Sequence, residues 1–266
     1  MIRFIFYTLV LITATIATAQ VSENRTVGNF SKIKVSQGIE LFYTPSATQS
    51  IKVETDDNEK LTYIKTEVEG NTLRVYIDHS NPKRNESGKK KRNNRFVNNN
   101  YGINFKVLKV WVSAPNVDGF KASSSGSIKV EKPVSANEFS IDASSSGSIS
   151  GNFSGKVIHV DISSSADVNL QVDAEKINVQ ASSSADADIS GKAKDLYVKA
   201  SSSADVDADD LQVQNAKIEA SSSGDVDVFV TENLDAKASS SASIDYKGNP
   251  KQVNTEKSSS GSVTKK

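Results

Sequence analysis

The chain has 266 residues and equal numbers of basic and acidic side chains, 32 of each, so its overall charge predicts no attraction to nucleic acid or anionic lipid. It contains no cysteine, which excludes disulfides, thiolate catalysis, cysteine-bound zinc and iron–sulfur clusters. Hydrophobic residues make up 36% of the chain, which is enough to bury a core.

The first 19 residues predict a signal peptide for export. Arg3 precedes an apolar stretch at residues 4–16, and the small residues at 17–19 form a cleavage site before Gln20. The alternative is an uncleaved anchor, but the stretch is short for a membrane span and no second apolar segment of spanning length follows. We expect a mature chain without a transmembrane segment, located in the periplasm, on the outer-membrane surface or outside the cell.

Residues 20–116 predict a β-rich N-terminal head or cap. Segments that predict strands lie at residues 30–35, 39–43, 51–55, 63–68, 73–77 and 105–112. The tripeptide Glu69-Gly70-Asn71 predicts a hairpin turn between two of them.

A polar insertion interrupts this head at residues 82–95, with the sequence PKRNESGKKKRNNR. Its low apolar content predicts a mobile loop. Its basic side chains are a candidate polyanion-binding site for anionic glycans or lipopolysaccharide phosphate; they are Arg84, Lys89, Lys90, Lys91, Arg92 and Arg95. Export argues against a genomic target, so we expect no nucleic acid partner. The alternative is a solvated loop without a ligand.

Residues 117–266 contain a repeat marked by the tripeptide Ser-Ser-Ser. The tripeptide starts eight times, at Ser123, Ser144, Ser163, Ser182, Ser201, Ser221, Ser239 and Ser258, with a spacing of 18–21 residues. A period of this length is typical of a solenoid, in which each unit buries its apolar face against its neighbours.

The pattern within one repeat predicts strands. Apolar residues recur in steps of two, as in Ile158, Val160 and Ile162, which is the strand period. About 19 extended residues suit one coil of a parallel β-helix. Each coil would hold two strands that meet near the triplet, and segments such as 191–195 and 247–250 would turn the chain toward the next coil. The sequence therefore predicts an all-β solenoid.

The triplets themselves allow two interpretations. Step-two counting places the central serine of each triplet on the inward face, where stacked hydroxyls could bond one another. The alternative places all three serines in an exposed turn. The central serines are Ser124, Ser145, Ser164, Ser183, Ser202, Ser222, Ser240 and Ser259.

Aspartates recur in the same slots of consecutive repeats. One column contains Asp167, Asp186, Asp205 and Asp225, and a second contains Asp188, Asp207, Asp227 and Asp245. Stacked carboxylates about 4.8 Å apart repel, and Ca²⁺ could bridge them, so the first column is a candidate metal site. The alternative is a solvated acidic face. The charge is unevenly distributed: residues 20–116 have 16 basic and 10 acidic side chains, and residues 117–266 have 15 and 22.

The repeats offer little for catalysis. Residues 117–266 contain no Arg and no Trp, and His159 is their one histidine. A repeated column of carboxylates provides no special acid and base pair. We expect no catalytic or cofactor-binding residues and no cofactor other than a candidate Ca²⁺. A polysaccharide lyase or hydrolase on a β-helix is the alternative.

Three segments resemble those of a known family. They are residues 30–41 (FSKIKVSQGIEL), 63–73 (YIKTEVEGNTL) and 110–115 (VWVSAP), followed by the Ser-rich repeats. In this order they resemble the putative auto-transporter adhesins with a head GIN domain, which are secreted bacterial proteins. The resemblance implies a pectin-lyase-like superhelix and a role in adhesion. We expect a non-enzymatic, exported binding or scaffold protein of the cell envelope, with a cell-surface or matrix glycan or protein as its partner.

Overall fold

The computed structural model describes residues 20–80 and 104–266, so the predicted signal peptide and the basic insertion lie outside the described residues. The strands of the N-terminal region are β1 (Val21–Arg25), β2 (Lys32–Ser36), β3 (Glu40–Pro45), β4 (Ser50–Thr55), β5 (Ile64–Glu69), β6 (Thr72–Ile77) and β7 (Leu108–Ala114), with one short helix, α1 (Asn58–Leu61). The strands of the repeats are β8 (Gly119–Ser123), β9 (Ser127–Val130), β10 (Val134–Ser144), β11 (Ser148–Ser163), β12 (Asp167–Ser182), β13 (Asp186–Ser201), β14 (Asp205–Ser221), β15 (Asp225–Ala238), β16 (Ser243–Lys247), β17 (Gln252–Lys257) and β18 (Ser262–Lys265).

These 18 strands form one sheet that winds into stacked coils about 19 residues apart. The long strands β11 to β15 each pair in parallel with the next strand in sequence, so that Ile158 lies beside Ile177 and Val198 beside Ile218. The predicted all-β solenoid, of about eight turns, is confirmed.

The core follows the predicted step of two. Ile158, Val160 and Ile162 are at most 3% exposed, and Val198 and Ile218 are fully buried. The alternation of buried and exposed residues shifts by one residue once per coil, as between Val172 and Ile177 in β12. The chain bends there for a second time without leaving the strand. Each coil therefore has a sharp corner at its triplet and a softer bend about half a coil later.

The prediction that the central serines face inward is wrong. The second and third serines of each triplet are exposed, and both adopt left-handed backbone with φ between 47° and 64°. Two consecutive residues with positive φ form a type I′ turn. This turn projects both side chains outward and returns the chain to the core at the following residue, such as the buried Ala204.

Backbone hydrogen bonds between coils stabilise these corners. The N–H of the third serine donates to the carbonyl of the central serine in the next coil, as from Ser184 to Ser202 at 3.1 Å and from Ser203 to Ser222 at 3.1 Å. Left-handed backbone costs a non-glycine residue about 1 kcal/mol or more, and the stacked bonds offset that cost. The residue after the triplet is Gly or Ala in every coil, and the space is tightest where it is Gly: an added Cβ at Gly147 would lie 2.5 Å from the Ala122 carbonyl oxygen.

The N-terminal strands extend the same stack. The β2/β3 pair lies between the β8/β9 pair on one side and the β6/β7 pair on the other, with parallel pairing throughout. The corner between β2 and β3 is Gln37-Gly38, whose φ values of 62° and 71° match those of the serine corners. The N–H of Gly38 donates to the carbonyl of Ser124, which continues the ladder of corner bonds.

Antiparallel strands close this end of the solenoid. β4 pairs antiparallel with β7, β1 pairs antiparallel with β4, and β5 pairs antiparallel with β6. The hairpin predicted at Glu69-Gly70-Asn71 is confirmed as the β5–β6 turn, with Gly70 at φ 63°. The reversal ends the parallel stacking and covers the outer edge of the β6/β7 coil.

Asp56 joins helix α1 to the segment that leads into β7. Its carboxylate accepts hydrogen bonds from Lys60 Nζ at 2.6 Å and from the backbone N–H of Lys106 at 3.1 Å and Val107 at 3.5 Å. The Lys60 bond in particular lowers the pKa of Asp56 to about 2. This carboxylate ties helix α1 to the segment that enters β7.

Candidate binding surfaces

The acidic columns stack as the repeat spacing predicts. Asp167, Asp186, Asp205 and Asp225 begin successive strands, and each is in register with the next. The second column, two residues further along, contains Asp188, Asp207, Asp227 and Asp245. Adjacent carboxylates are therefore on neighbouring strands about 4.8 Å apart.

The carboxylates in this face repel one another. Partial burial raises the pKa of Asp188, with a further contribution from the charge of Asp207. Burial likewise raises the pKa of Asp205, and the charges of Asp225 and Asp186 add to the shift. Ionising these groups therefore costs free energy in the folded state.

Neighbouring groups compensate some of this charge. Asn169 donates a hydrogen bond of 2.9 Å to Asp188. At the other end of the column, Lys266 Nζ lies 2.5 Å from Asp227 and 3.3 Å from Asp245. Across the described ranges, no three His, Asp or Glu side chains are arranged to hold a metal ion. Ca²⁺ bridging by Asp167, Asp186, Asp205 and Asp225 stays a prediction.

The same face is aromatic and basic toward the N-terminal end. Trp111 and Phe42 occupy the row that continues the second aspartate column, and their rings stack with centroids 5.6 Å apart. Lys52 Nζ lies 5.0 Å from the centre of the Trp111 ring, and Lys109 Nζ lies 5.8 Å from that of Phe42. These cation–π contacts cover the rings. No sequence pattern connects Phe42 with Trp111, because they lie on strands that are far apart in sequence.

The face that precedes the triplets contains a polar recess of about 310 Å³. Lys121, Asp142, Asp161 and Lys199 line it together with serines. Burial, assisted by the charge of Asp142, raises the pKa of Asp161. Nearby, the two ring nitrogens of His159 contact Glu138 at 3.2 Å and Asn178 at 3.4 Å rather than a serine hydroxyl. This arrangement does not activate a serine as a nucleophile.

A larger groove, of about 490 Å³, lies at the second bend of the coils; we call it the amide groove. One wall is a column formed by Lys176, Asp195, Asn215, Asn233 and Gln252. The other wall is a column formed by Asn178, Tyr197, Lys217, Asp235 and Asn254. The floor is formed by Leu196, Ala216 and Leu234, each at most 5% exposed.

Hydrogen bonds order the walls of the amide groove. Asn233 Nδ2 donates to Asn215 Oδ1 at 2.7 Å, and Asn215 Nδ2 donates to Asp195 Oδ1 at 2.8 Å. Tyr197 donates from its hydroxyl to Glu219 at 3.2 Å, and Lys217 Nζ lies 5.8 Å from the centre of its ring. No sequence pattern predicts this groove, because the softer bend has no repeated tripeptide to mark it.

The predicted polyanion site lies outside the described residues. Arg84, Lys89, Lys90, Lys91, Arg92 and Arg95 all fall between residues 81 and 103. Their binding to a polyanion stays a prediction.

Residues 29–250 match the model of the family described as "Putative auto-transporter adhesin, head GIN domain". The chain belongs to this family. The match covers both the N-terminal coils and most of the Ser-rich coils, so the resemblance drawn from the three sequence segments is confirmed. No curated protein sequence matches the chain.

Solved structures confirm the fold. A putative adhesin from Parabacteroides distasonis superposes with a TM-score of 0.81 at 21% identity, over 93% of this chain and 97% of its own. A putative lipid binding protein from the same organism gives 0.80 at 22% identity, over 93% and 96%. A putative adhesin from Parabacteroides merdae gives 0.79 at 17% identity, over the same shares. At these identities the likeness establishes the fold alone.

The family description agrees with a binding role. In the portion of the chain that the structure describes, no helix is long and apolar enough to cross a membrane.

Proposed function

We propose that this protein is an exported, non-enzymatic binding or scaffold protein that acts in adhesion at the cell envelope. The observation that carries the proposal is the repetition of its outward side chains. The same slot presents aspartate on four successive coils, and another slot presents aspartate, asparagine and glutamine on four. Repeated groups at one spacing suit many weak contacts with a repetitive ligand, whose affinities combine through multivalency.

The family and two of the structural neighbours support adhesion by their descriptions. One neighbour is described as a lipid binding protein. In this chain the amide groove is lined mainly by Asn, Asp, Gln and Lys side chains with one Tyr, and its Leu and Ala residues are buried in the core. We therefore favour a polar surface ligand over a lipid.

A binding screen on the mature chain, residues 20–266, tests the proposal. Immobilised glycans and extracellular-matrix proteins serve as probes, and the heat-denatured chain serves as the control. We expect saturable binding to at least one probe without release of new reducing ends from any polysaccharide. Binding to none of the probes, or cleavage of a bound polysaccharide, would overturn the proposal.

Export is tested separately. Envelope and culture fractions should contain a processed chain whose N-terminus is at or near Gln20. An intact chain retained in the cytoplasm would contradict this part of the proposal.

A further inference from the structure

We propose that the amide groove binds a linear, uncharged oligosaccharide, an inference that rests on the binding function proposed above and names its ligand class. The groove crosses five coils, from Asn178 to Asn254. At about 4.8 Å per coil its walls are about 19 Å long. A groove of this length suits a chain-like ligand of several units rather than a compact molecule.

Carboxamides dominate the walls. Of the eight asparagines in residues 117–266, four line this groove: Asn178, Asn215, Asn233 and Asn254. A carboxamide offers both a donor and an acceptor, which matches the donor and acceptor character of sugar hydroxyls. The wall charges are balanced, with Lys176 and Lys217 against Asp195 and Asp235. This balance favours an uncharged ligand over a polyanion.

The hydrogen-bond chain prepares these amides for a ligand. The bonds from Asn233 to Asn215 and from Asn215 to Asp195 fix which way each amide faces. Each Asn Nδ2 keeps a second N–H, and Asp195 keeps its second carboxylate oxygen for a ligand. Groups that are already oriented lose less conformational entropy on binding. The half-buried ring of Tyr197, fixed through its hydroxyl to Glu219, adds an apolar side to the wall.

The groove is less suited to an extended peptide. Its strands β13, β14, β15 and β17 pair with one another in order, so their backbone groups are used within the coil ladder. A peptide could not add to them as a new strand, which is the usual source of affinity for extended peptides on sheets. Side chains alone would have to bind it.

Titration calorimetry on the mature chain tests the inference with four probes: a neutral cello-oligosaccharide hexamer, a neutral N-acetylglucosamine hexamer, a heparin-derived hexasaccharide, and gelatin. The test variant is Asn215→Ala/Asn233→Ala. Asn254→Ala is a second variant, because this exposed side chain lies at the end of the groove and its loss should not affect folding. Asn152→Ala/Asn169→Ala is the matched control, since both amides lie elsewhere on the repeats.

We expect a neutral hexamer to bind the wild-type chain, the double groove variant to weaken binding at least about tenfold, and Asn254→Ala to weaken it less, whereas the control pair leaves it unchanged. If the heparin fragment or gelatin binds and neither neutral hexamer does, this inference fails while the proposed function stands. If a neutral hexamer binds and all variants keep the wild-type affinity for it, the assignment to the groove is also overturned. If the broad screen and these four probes all give no binding, the proposed function fails as well.

Discussion

The N-terminal coils and the Ser-rich coils belong to one sheet, but the chain reaches them in different orders. From β10 to β16, each strand pairs with the next strand in sequence. In the N-terminal region, the β6/β7 coil lies at the end of the stack and the earlier β2/β3 coil lies between it and β8. After β7 the chain must therefore cross the β2/β3 coil to begin β8. The N–H of Asp118 donates to the carbonyl of Ser31 at 2.9 Å at this crossing.

The core also changes along the solenoid. A chain of edge-to-face ring contacts joins Tyr43, Phe120, Phe153 and Phe139, with centroids 5.3–5.7 Å apart. The Tyr43 hydroxyl donates to the Ala114 carbonyl at 2.8 Å, and burial raises its pKa to about 12. The central coils instead stack small residues in one column: Ala181, Ala200, Ala220 and Ala238. The aromatic contacts therefore cross from the N-terminal unit, β1 to β7, into the first repeat coils, where Phe120, Phe139 and Phe153 lie in β8, β10 and β11. The strand order interlocks the N-terminal unit, and the central coils are a stack of near-equivalent layers.

The largest expected effect comes from a charge in the central stack. Val198→Asp places an unpaired carboxylate at a fully buried position, which should cost several kcal/mol and unfold the adjacent coils. Because each coil contacts mainly its neighbours, the N-terminal unit should stay folded. The single tryptophan, Trp111, lies in that unit, so its emission should remain native while the far-UV strand signal falls.

Lys199→Asp is the matched control, because its side chain is exposed on the same strand. It should leave both signals unchanged. Loss of native Trp111 emission together with the strand signal in Val198→Asp would show that the two regions unfold as one unit.

A smaller effect is expected at the corners. Ser203 has φ 60°, which a β-branched side chain strongly disfavours and glycine adopts freely. Ser203→Val should destabilise the chain by about 1–3 kcal/mol, and Ser203→Gly should be neutral or stabilising. The urea midpoint measures both variants.

Gly38→Val repeats this test in the N-terminal unit, where Gly38 has φ 71°. A similar loss there would mean that both regions depend on the same corner geometry. Equal midpoints for Ser203→Val and Ser203→Gly would contradict the left-handed assignment.

The difference between the regions also explains what the sequence could reveal. The spacing of the triplets predicts the coil length, and the step-two pattern predicts which residues, such as Val160 and Val198, are buried. The first signal arises because consecutive coils are consecutive in sequence, and the second is local to each strand. The stacking of Phe42 on Trp111 has no such signal, since it depends on pairing strands out of sequence order.

The serine corners were misassigned for a local reason. A strand that continued through the triplet would place the central serine inward. A two-residue turn at the second and third serines leaves the same flanking residues buried, such as Ala200 and Ala204. Burial of the flanking residues therefore cannot distinguish the two. The amide groove was missed because residues from different coils meet at a bend that the repeat pattern does not mark.

The two regions should respond to pH in opposite ways. The folded-state pKa of Asp205 is raised above its ordinary value of 3.8, so its ionisation destabilises the fold at pH 7 and this penalty disappears as pH falls toward 3.8. The pKa of Asp56 is lowered to about 2, so its contribution is complete above 3.8 and is lost as pH falls toward 2.

Asp205→Asn should therefore raise the melting temperature at pH 7, with a gain that shrinks by pH 4. Asp56→Asn should lower the melting temperature at both pH values, by amounts that begin to converge on wild type only below about pH 4. Thermal scans at pH 7, 5.5, 4 and 3 measure both. A gain for Asp205→Asn that is independent of pH would show that carboxylate ionisation is not its cause.

The smallest expected effect is that of calcium on the aspartate columns, which lie in the Ser-rich coils. If Ca²⁺ bridges Asp167, Asp186, Asp205 and Asp225, millimolar CaCl₂ should raise the melting temperature by a few degrees more than NaCl of equal ionic strength. Screening alone would make the two salts equivalent. The gain should saturate, and Trp111 emission should not follow it, because the bridged coils lie beyond the N-terminal unit.

Two variants separate bridging from a general response to salt. Asp186→Asn/Asp205→Asn should abolish the calcium-specific gain, because a hard cation loses two charged ligands. Asp142→Asn/Asp161→Asn, a registered pair of carboxylates on the other face, should retain it. Identical curves in the two salts for the wild-type chain would leave the columns as a solvated acidic face, whose repulsion limits self-association of the rod.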